Sequence, residues 1–154
     1  MPVIVRWPEG RVDETTPEAM AAAAGRTFPI GERVPGAPGE GFAWLSWYEA
    51  AKTGSEGGAP PTHLVVRAED GFQAVLPWEQ LGQTLLQYAV EGRPLEQGGP
   101  MRLYVPDGSS ACLNVKWVAE LRIVRDTQLG EEAGYGFVNE ISPGRLRAGL
   151  QTRV

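Results

Sequence analysis

The chain has little of what most site chemistry is built from. Its 154 residues hold one cysteine, Cys112, and one histidine, His63. A single thiol excludes an internal disulfide and a cysteine-rich zinc site. Lys and Arg number 14 against 19 Asp and Glu, for a net charge of −5, and no basic run gathers them into the footprint of a nucleic-acid binder. No apolar run reaches the length of a membrane span. The opening MPVIVRWPEG is broken by Pro2, Arg6 and Pro8 and has no basic region before an apolar core, so no secretory signal is expected. A cytoplasmic protein with no nucleic-acid and no membrane partner is the expectation. What is plentiful is turn chemistry: 20 glycines and 13 prolines, about a fifth of the chain, favour many turns and short strands over long helices. The length suits one domain over residues 1–154, with 126–154 read as a tail.

Periodicity places the elements. Residues 3–7, VIVRW, read as a short strand with Val3, Val5 and Trp7 on one face. TTPEAMAAAAG reads as a helix: Thr16 caps it, Pro17 suits its first position and Gly25 ends it. Residues 31–41 read as a Pro/Gly-rich loop, and Ser46 as the cap of a short helix ended by Gly54. THLVVRAEDGFQAVLP, 62–77, is the clearest signal. Leu64, Val66 and Ala68 alternate with His63, Val65 and Arg67. Asp70-Gly71 suits a type I′ turn, which needs positive φ at both central residues. Pro77 closes the return strand and opens a short helix. TLLQYAV, 84–90, fits a helix through Leu81, Leu85 and Tyr88, but flanking turns at Gly82 and EGRP favour a strand. GGPMRLYVPDG reads as a strand, and CLNVKWVAELRIVRD as an irregular start ending in a strand from Leu121 to Arg125.

The runs RAEDGFQAVLPWEQL, LLQYAVEGRPLEQGGPMRLYVPD and NVKWVAELRIV, in this order and spacing, resemble the molybdopterin-binding domain of the sulfite oxidase-like oxidoreductases. The likeness covers residues 62–125, with a weaker extension back to VPGAPGEGFAWLSWYEAA. It implies an α+β fold of short mixed β-sheets with few short helices. It also implies molybdopterin as cofactor and oxygen-atom transfer or a related two-electron step at molybdenum. Here the cofactor does the hard chemistry and the protein binds and orients it. The family's metal-ligating cysteine lies before the Asp-Gly hairpin, where this chain has none, and the His- and Arg-containing segments that help hold the pterin are missing as well. The chain therefore corresponds to the later half of the family's cofactor domain. The resemblance places cofactor-binding positions at Asp70, Gly71, Phe72, Arg102, Cys112, Asn114 and Lys116.

Each of these positions has an ordinary reading too. Lys116 can pair with a phosphate or be a solvated strand residue, with Trp117 in the core. Cys112 is misplaced for a metal ligand, could pair with His63 as a thiol nucleophile, or be a small buried hydrophobe or loop residue, the reading preferred here. His63 reads as a partly exposed strand-end residue, Asp70 as turn chemistry, and Arg102 as a solvated strand arginine. Trp44 and Trp47 share a helix face and read as core. GEEAGYGF, 130–137, reads as a lid or a tail. No phosphate-loop, dinucleotide-binding or serine-elbow motif occurs. The leading functional expectation is a molybdopterin-binding oxidoreductase-like protein. The alternative is a non-catalytic module that kept the fold, lost the metal site, and binds another small anion or a protein partner.

Overall fold

A computed structural model describes residues 2–52 and 59–137. Strand β1 (Val3–Arg6) turns at Gly10 into β2 (Val12–Thr15). Helix α1 (Pro17–Ala24) follows, as its caps require. The Thr16 side chain accepts the Ala19 N–H at 3.1 Å, Pro17 occupies the first turn, and Gly25 leaves it at φ 86°. The chain continues through β3 (Phe28–Pro29), a 3₁₀ turn at Ile30–Glu32, β4 (Glu40–Ala43) and α2 (Trp44–Ala51). The 31–41 segment is thus not all loop, since it ends in β4. Helix α2 begins two residues before the expected cap: Ser46 lies inside it, and Ala43 leads in without a side-chain bond. The expected stop, Gly54, lies outside the described residues.

Next come β5 (His63–Ala68), β6 (Phe72–Pro77), a 3₁₀ turn at Trp78–Gln80, β7 (Leu85–Val90), β8 (Arg93–Pro94) and β9 (Arg102–Tyr104). A 3₁₀ turn at Ala111–Leu113 leads to β10 (Val118–Val124), which starts three residues before the expected strand. Of residues 126–154, read as a tail, those up to 137 form a 3₁₀ turn at Thr127–Leu129 and β11 (Gly134–Phe137), and 138–154 lie outside the described residues.

One sheet runs β11-β6-β5-β10-β1-β2. Only β1 and β10 pair parallel in it, with Val5 opposite Leu121. The second sheet runs β3-β4-β7-β8, with β9 also on β7. One buried cluster joins both sheets and both helices. It holds Val3, Val5, Leu64, Val66, Leu121 and Ile123 from the first sheet, Phe42, Leu86 and Leu103 from the second, and Met20, Trp44 and Trp47 from the helices. Alternation on β5 sends Val65 to the opposite face, where it meets Val75, Val124 and Leu129.

The type I′ turn expected at Asp70-Gly71 is found instead at Glu91-Gly92, for which no turn type was expected. At Glu91-Gly92 both central residues have positive φ, 52° and 76°, between the paired Val90 and Arg93: this is the two-residue type I′ loop. At Asp70-Gly71 only Gly71 is positive, at 91°, and its N–H reaches Ala68 O at 3.1 Å. That is a type I turn closed by a left-handed glycine. The Asp70 carboxylate accepts the Phe72 N–H at 3.0 Å, which holds Asp70 in ordinary negative φ. Among the described residues no helix is long and apolar enough to cross a membrane.

Candidate functional site

The β5–β6 turn and the 108–117 loop meet over one open cleft of about 170 Å³, lined by Asp70, Phe72, Cys112, Asn114, Val115, Lys116 and Trp117. The loop is tied down by backbone on both sides. Leu103 N–H donates to Val115 O at 2.8 Å, Trp117 N–H to Gly98 O at 3.0 Å, Val118 N–H to Met101 O at 2.9 Å, and Glu69 N–H to Trp117 O at 2.9 Å. These four bonds bring together the hairpin, the GGPMRL strip and the VKW loop. They also hold Trp117 at φ 57°, a left-handed conformation that costs a bulky residue free energy and persists only where its surroundings over-determine it.

Trp117 is consequently not core. It is 40% exposed, and its ring carries the Lys116 ammonium 5.4 Å from the centroid. No sequence signal announces this, because a left-handed residue is normally Gly or Asn. The remaining polar groups are partly spent on structure. Asn114 Oδ1 accepts Val105 N–H at 2.7 Å and pins the end of β9. Asp70 is committed to its turn. Cys112 sits exposed on the 3₁₀ turn, whose Ser110 hydroxyl accepts the Cys112 N–H at 3.1 Å. Of the ordinary reading of Cys112, a buried hydrophobe or a loop residue, the buried half is corrected and the loop half holds. Since Cys112 is exposed, Cys112→Ser is expected to change unfolding free energy by less than about 0.5 kcal/mol in urea titration.

Gly71 shapes the turn but does not line the cleft; a Cβ there would meet nothing within 4 Å. Arg102 stands apart from the other six predicted positions. It lines a different cleft of about 290 Å³ with Gln87 and Pro38, lies opposite Gln87 across β7 and β9, and places its guanidinium 5.3 Å from the Tyr104 ring centroid. Gln87 is 1% exposed. Its Nε2 donates to Pro38 O, and its Oε1 has no partner among the described residues.

His63 is buried, 3% exposed, rather than partly exposed. Its Nε2 is 2.7 Å from Gly130 O, a pure acceptor, so Nε2 carries the proton. Its Nδ1 is 2.9 Å from Thr62 Oγ1, which also accepts Asp126 N–H at 2.7 Å. The histidine therefore staples the Thr127–Leu129 turn to the sheet. It stands at the opposite end of β5 from the cleft, about 17 Å away at strand rise, which excludes a Cys112–His63 catalytic pair.

The donor set can be compared with what a pterin-dithiolene carrying molybdenum needs. Sites that enclose a ligand of that class run to about 300–1,000 Å³; this cleft is smaller. It provides one thiol, at the rim, and one cation. Among the described residues no three His, Cys, Asp or Glu side chains are grouped to hold a metal ion. These residues do not by themselves fit the complete metal-bearing group.

A family model described as oxidoreductase molybdopterin binding domain matches residues 47–131, more than half of the 154-residue chain. The span contains the hairpin and the loop, Trp117 included. No curated protein matches the chain.

Proposed function

The chain belongs to the oxidoreductase molybdopterin-binding domain family, and from that premise we propose that it binds a pterin-type anionic ligand on the open face between the β5–β6 turn and the 108–117 loop. In this reading it is a binding module and not a self-contained redox centre. The observation that carries the proposal is the convergence of Asp70 and Phe72 with Cys112, Asn114, Lys116 and Trp117 around one cleft. Lys116 meets the anionic group, since an ammonium donates charge-assisted hydrogen bonds to carboxylate or phosphate oxygens. The exposed Trp117 ring offers a face for a flat heterocycle. Asn114 and Asp70 position the walls and do not touch the ligand. Cys112 has no required role. The one-domain organisation of residues 1–154 is part of the same proposal.

Fluorescence titration of the full chain with pterin-6-carboxylate tests this. Saturable binding is expected, weakened about tenfold in Lys116→Ala, the equivalent of about 1.4 kcal/mol. Equal affinity in that variant would remove the proposal's basis. The redox alternative is tested separately by elemental analysis of protein from a cell that makes molybdopterin. Molybdenum well below one per chain is expected. One per chain, lost in Cys112→Ser, would establish a metal centre instead.

A further inference from the structure

In the first sheet β1 and β10 run parallel, and β10 continues to Val124, two residues beyond Arg122, which lies opposite the last residue of β1, Arg6. β1 leaves through the turn at Trp7–Arg11 that returns as β2. β10 leaves toward the Thr127–Leu129 turn. A crevice lies beside these two exits, at the strands' carboxyl ends. It measures about 430 Å³, and four arginines line it: Arg6, Arg11, Arg122 and Arg125.

That gathering runs against the composition, since the chain as a whole carries −5. It also runs against sheet energetics. Arg6 and Arg122 are register neighbours on adjacent strands, and like charges so placed repel. Two of the four have carboxylate partners. Arg6 Nε lies 3.1 Å from Glu120 Oε1, and Arg11 Nε lies 3.4 Å from Asp13 Oδ2. Arg11 is held further by stacking 4.2 Å over the Trp7 ring and by donating to Ala51 O at 3.3 Å. Arg122 and Arg125 are exposed, and neither has an ion pair with a carboxylate among the described residues. The acid on the crevice wall, Asp126, turns an oxygen to the Gln128 N–H at 3.0 Å.

We infer that this crevice binds a phosphate-type oxyanion, with Arg122 and Arg125 as its direct ligands and Arg6 and Arg11 as the ordered flank. Two guanidiniums without a carboxylate partner among the described residues match a dianion better than a monocarboxylate. Arginine without lysine suits an oxyanion gripped through paired N–H donors. An occupant would also screen the Arg6–Arg122 repulsion. The ion can be free phosphate or the phosphoryl group of a small monoester, and the site is independent of the pterin-type face.

Calorimetric titration of the full chain, at constant ionic strength, with inorganic phosphate in one arm and glycerol phosphate in the other, tests the inference. One-to-one saturable binding is expected, at least tenfold weaker in the Arg122→Gln/Arg125→Gln double variant. Arg33→Gln, whose guanidinium stacks on Phe28 in the other sheet, should bind like the parent. Circular dichroism verifies that both variants are folded. Tighter binding of the monoester identifies a phosphorylated small molecule as the ligand; equal binding identifies the free ion. Absence of saturable binding of both probes at millimolar concentration, or parent-like affinity in the double variant, overturns the inference.

Discussion

Trp44→Ala is expected to lower the unfolding free energy by about 3–5 kcal/mol, a large share of the roughly 5–15 kcal/mol that a domain possesses. Trp44 is 0% exposed. Its ring centroid lies 5.4 Å from Trp47, 6.2 Å from Tyr48 and 6.1 Å from Trp78, and Trp7 stacks on Trp47 and Tyr48 at 5.9 Å each. Truncation leaves a cavity among rigid rings that cannot collapse into it, so both the transfer and the cavity contributions are lost. Trp44→Phe should behave differently. The indole N–H is buried with no partner among the described residues, and phenylalanine removes that unmet donor while keeping a ring. Its cost should stay below about 1.5 kcal/mol. Urea denaturation of the two variants checks the argument. Equal losses would mean that cavity volume is not the dominant effect.

The second large effect is expected at Gly39, where alanine should cost about 2–5 kcal/mol. Gly39 lies at φ +88°, and a Cβ there would stand 2.4 Å from Ala89 O and 2.7 Å from Gln87 Nε2. The left-handed backbone contributes about 1–2 kcal/mol and the forced separation of the loop from β7 about 1–3 kcal/mol. The loop cannot easily yield, because Gly39 O accepts Ile30 N–H at 2.9 Å and Pro38 O accepts the Gln87 amide. Gly71→Ala is the control. Its φ is +91° but its Cβ would find open space, so only the conformational cost of about 1–2 kcal/mol is expected. Thermal or urea unfolding of both variants separates backbone strain from steric exclusion; the same loss at both sites would rule out the steric part.

Legibility followed distance along the chain. Helix α1 could be read to its caps because Thr16, Pro17 and Gly25 act within one turn of where they stand. The 62–77 hairpin and the strand at 84–90 could be read because alternation and turn residues are local signals. The Asp70 turn was assigned the wrong type because an acid-glycine pair does not by itself choose between turn types. The side-chain bond from Asp70 to the Phe72 N–H decides its backbone, whereas the Glu91-Gly92 loop is set by its two-residue register. Of the candidate positions, Asp70, Phe72, Cys112, Asn114 and Lys116 converge on one cleft. Arg102 does not, because alternation on β9 turns it away from Met101 and Leu103 toward Gln87. Trp117 was read as core because apolar aromatics usually are, and only its four-bond tether reverses that.

By itself the order of residues determined the elements with short-range causes, the impossibility of an internal disulfide, and a resemblance to a family through motifs spread over residues 62–125. The parallel pairing of β1 with β10, the burial of His63, the exposure of Trp117 and the meeting of four arginines were decided only by tertiary structure. The reason is physical: each depends on segments far apart in the chain, whose contacts become favourable only after the loops between them have closed.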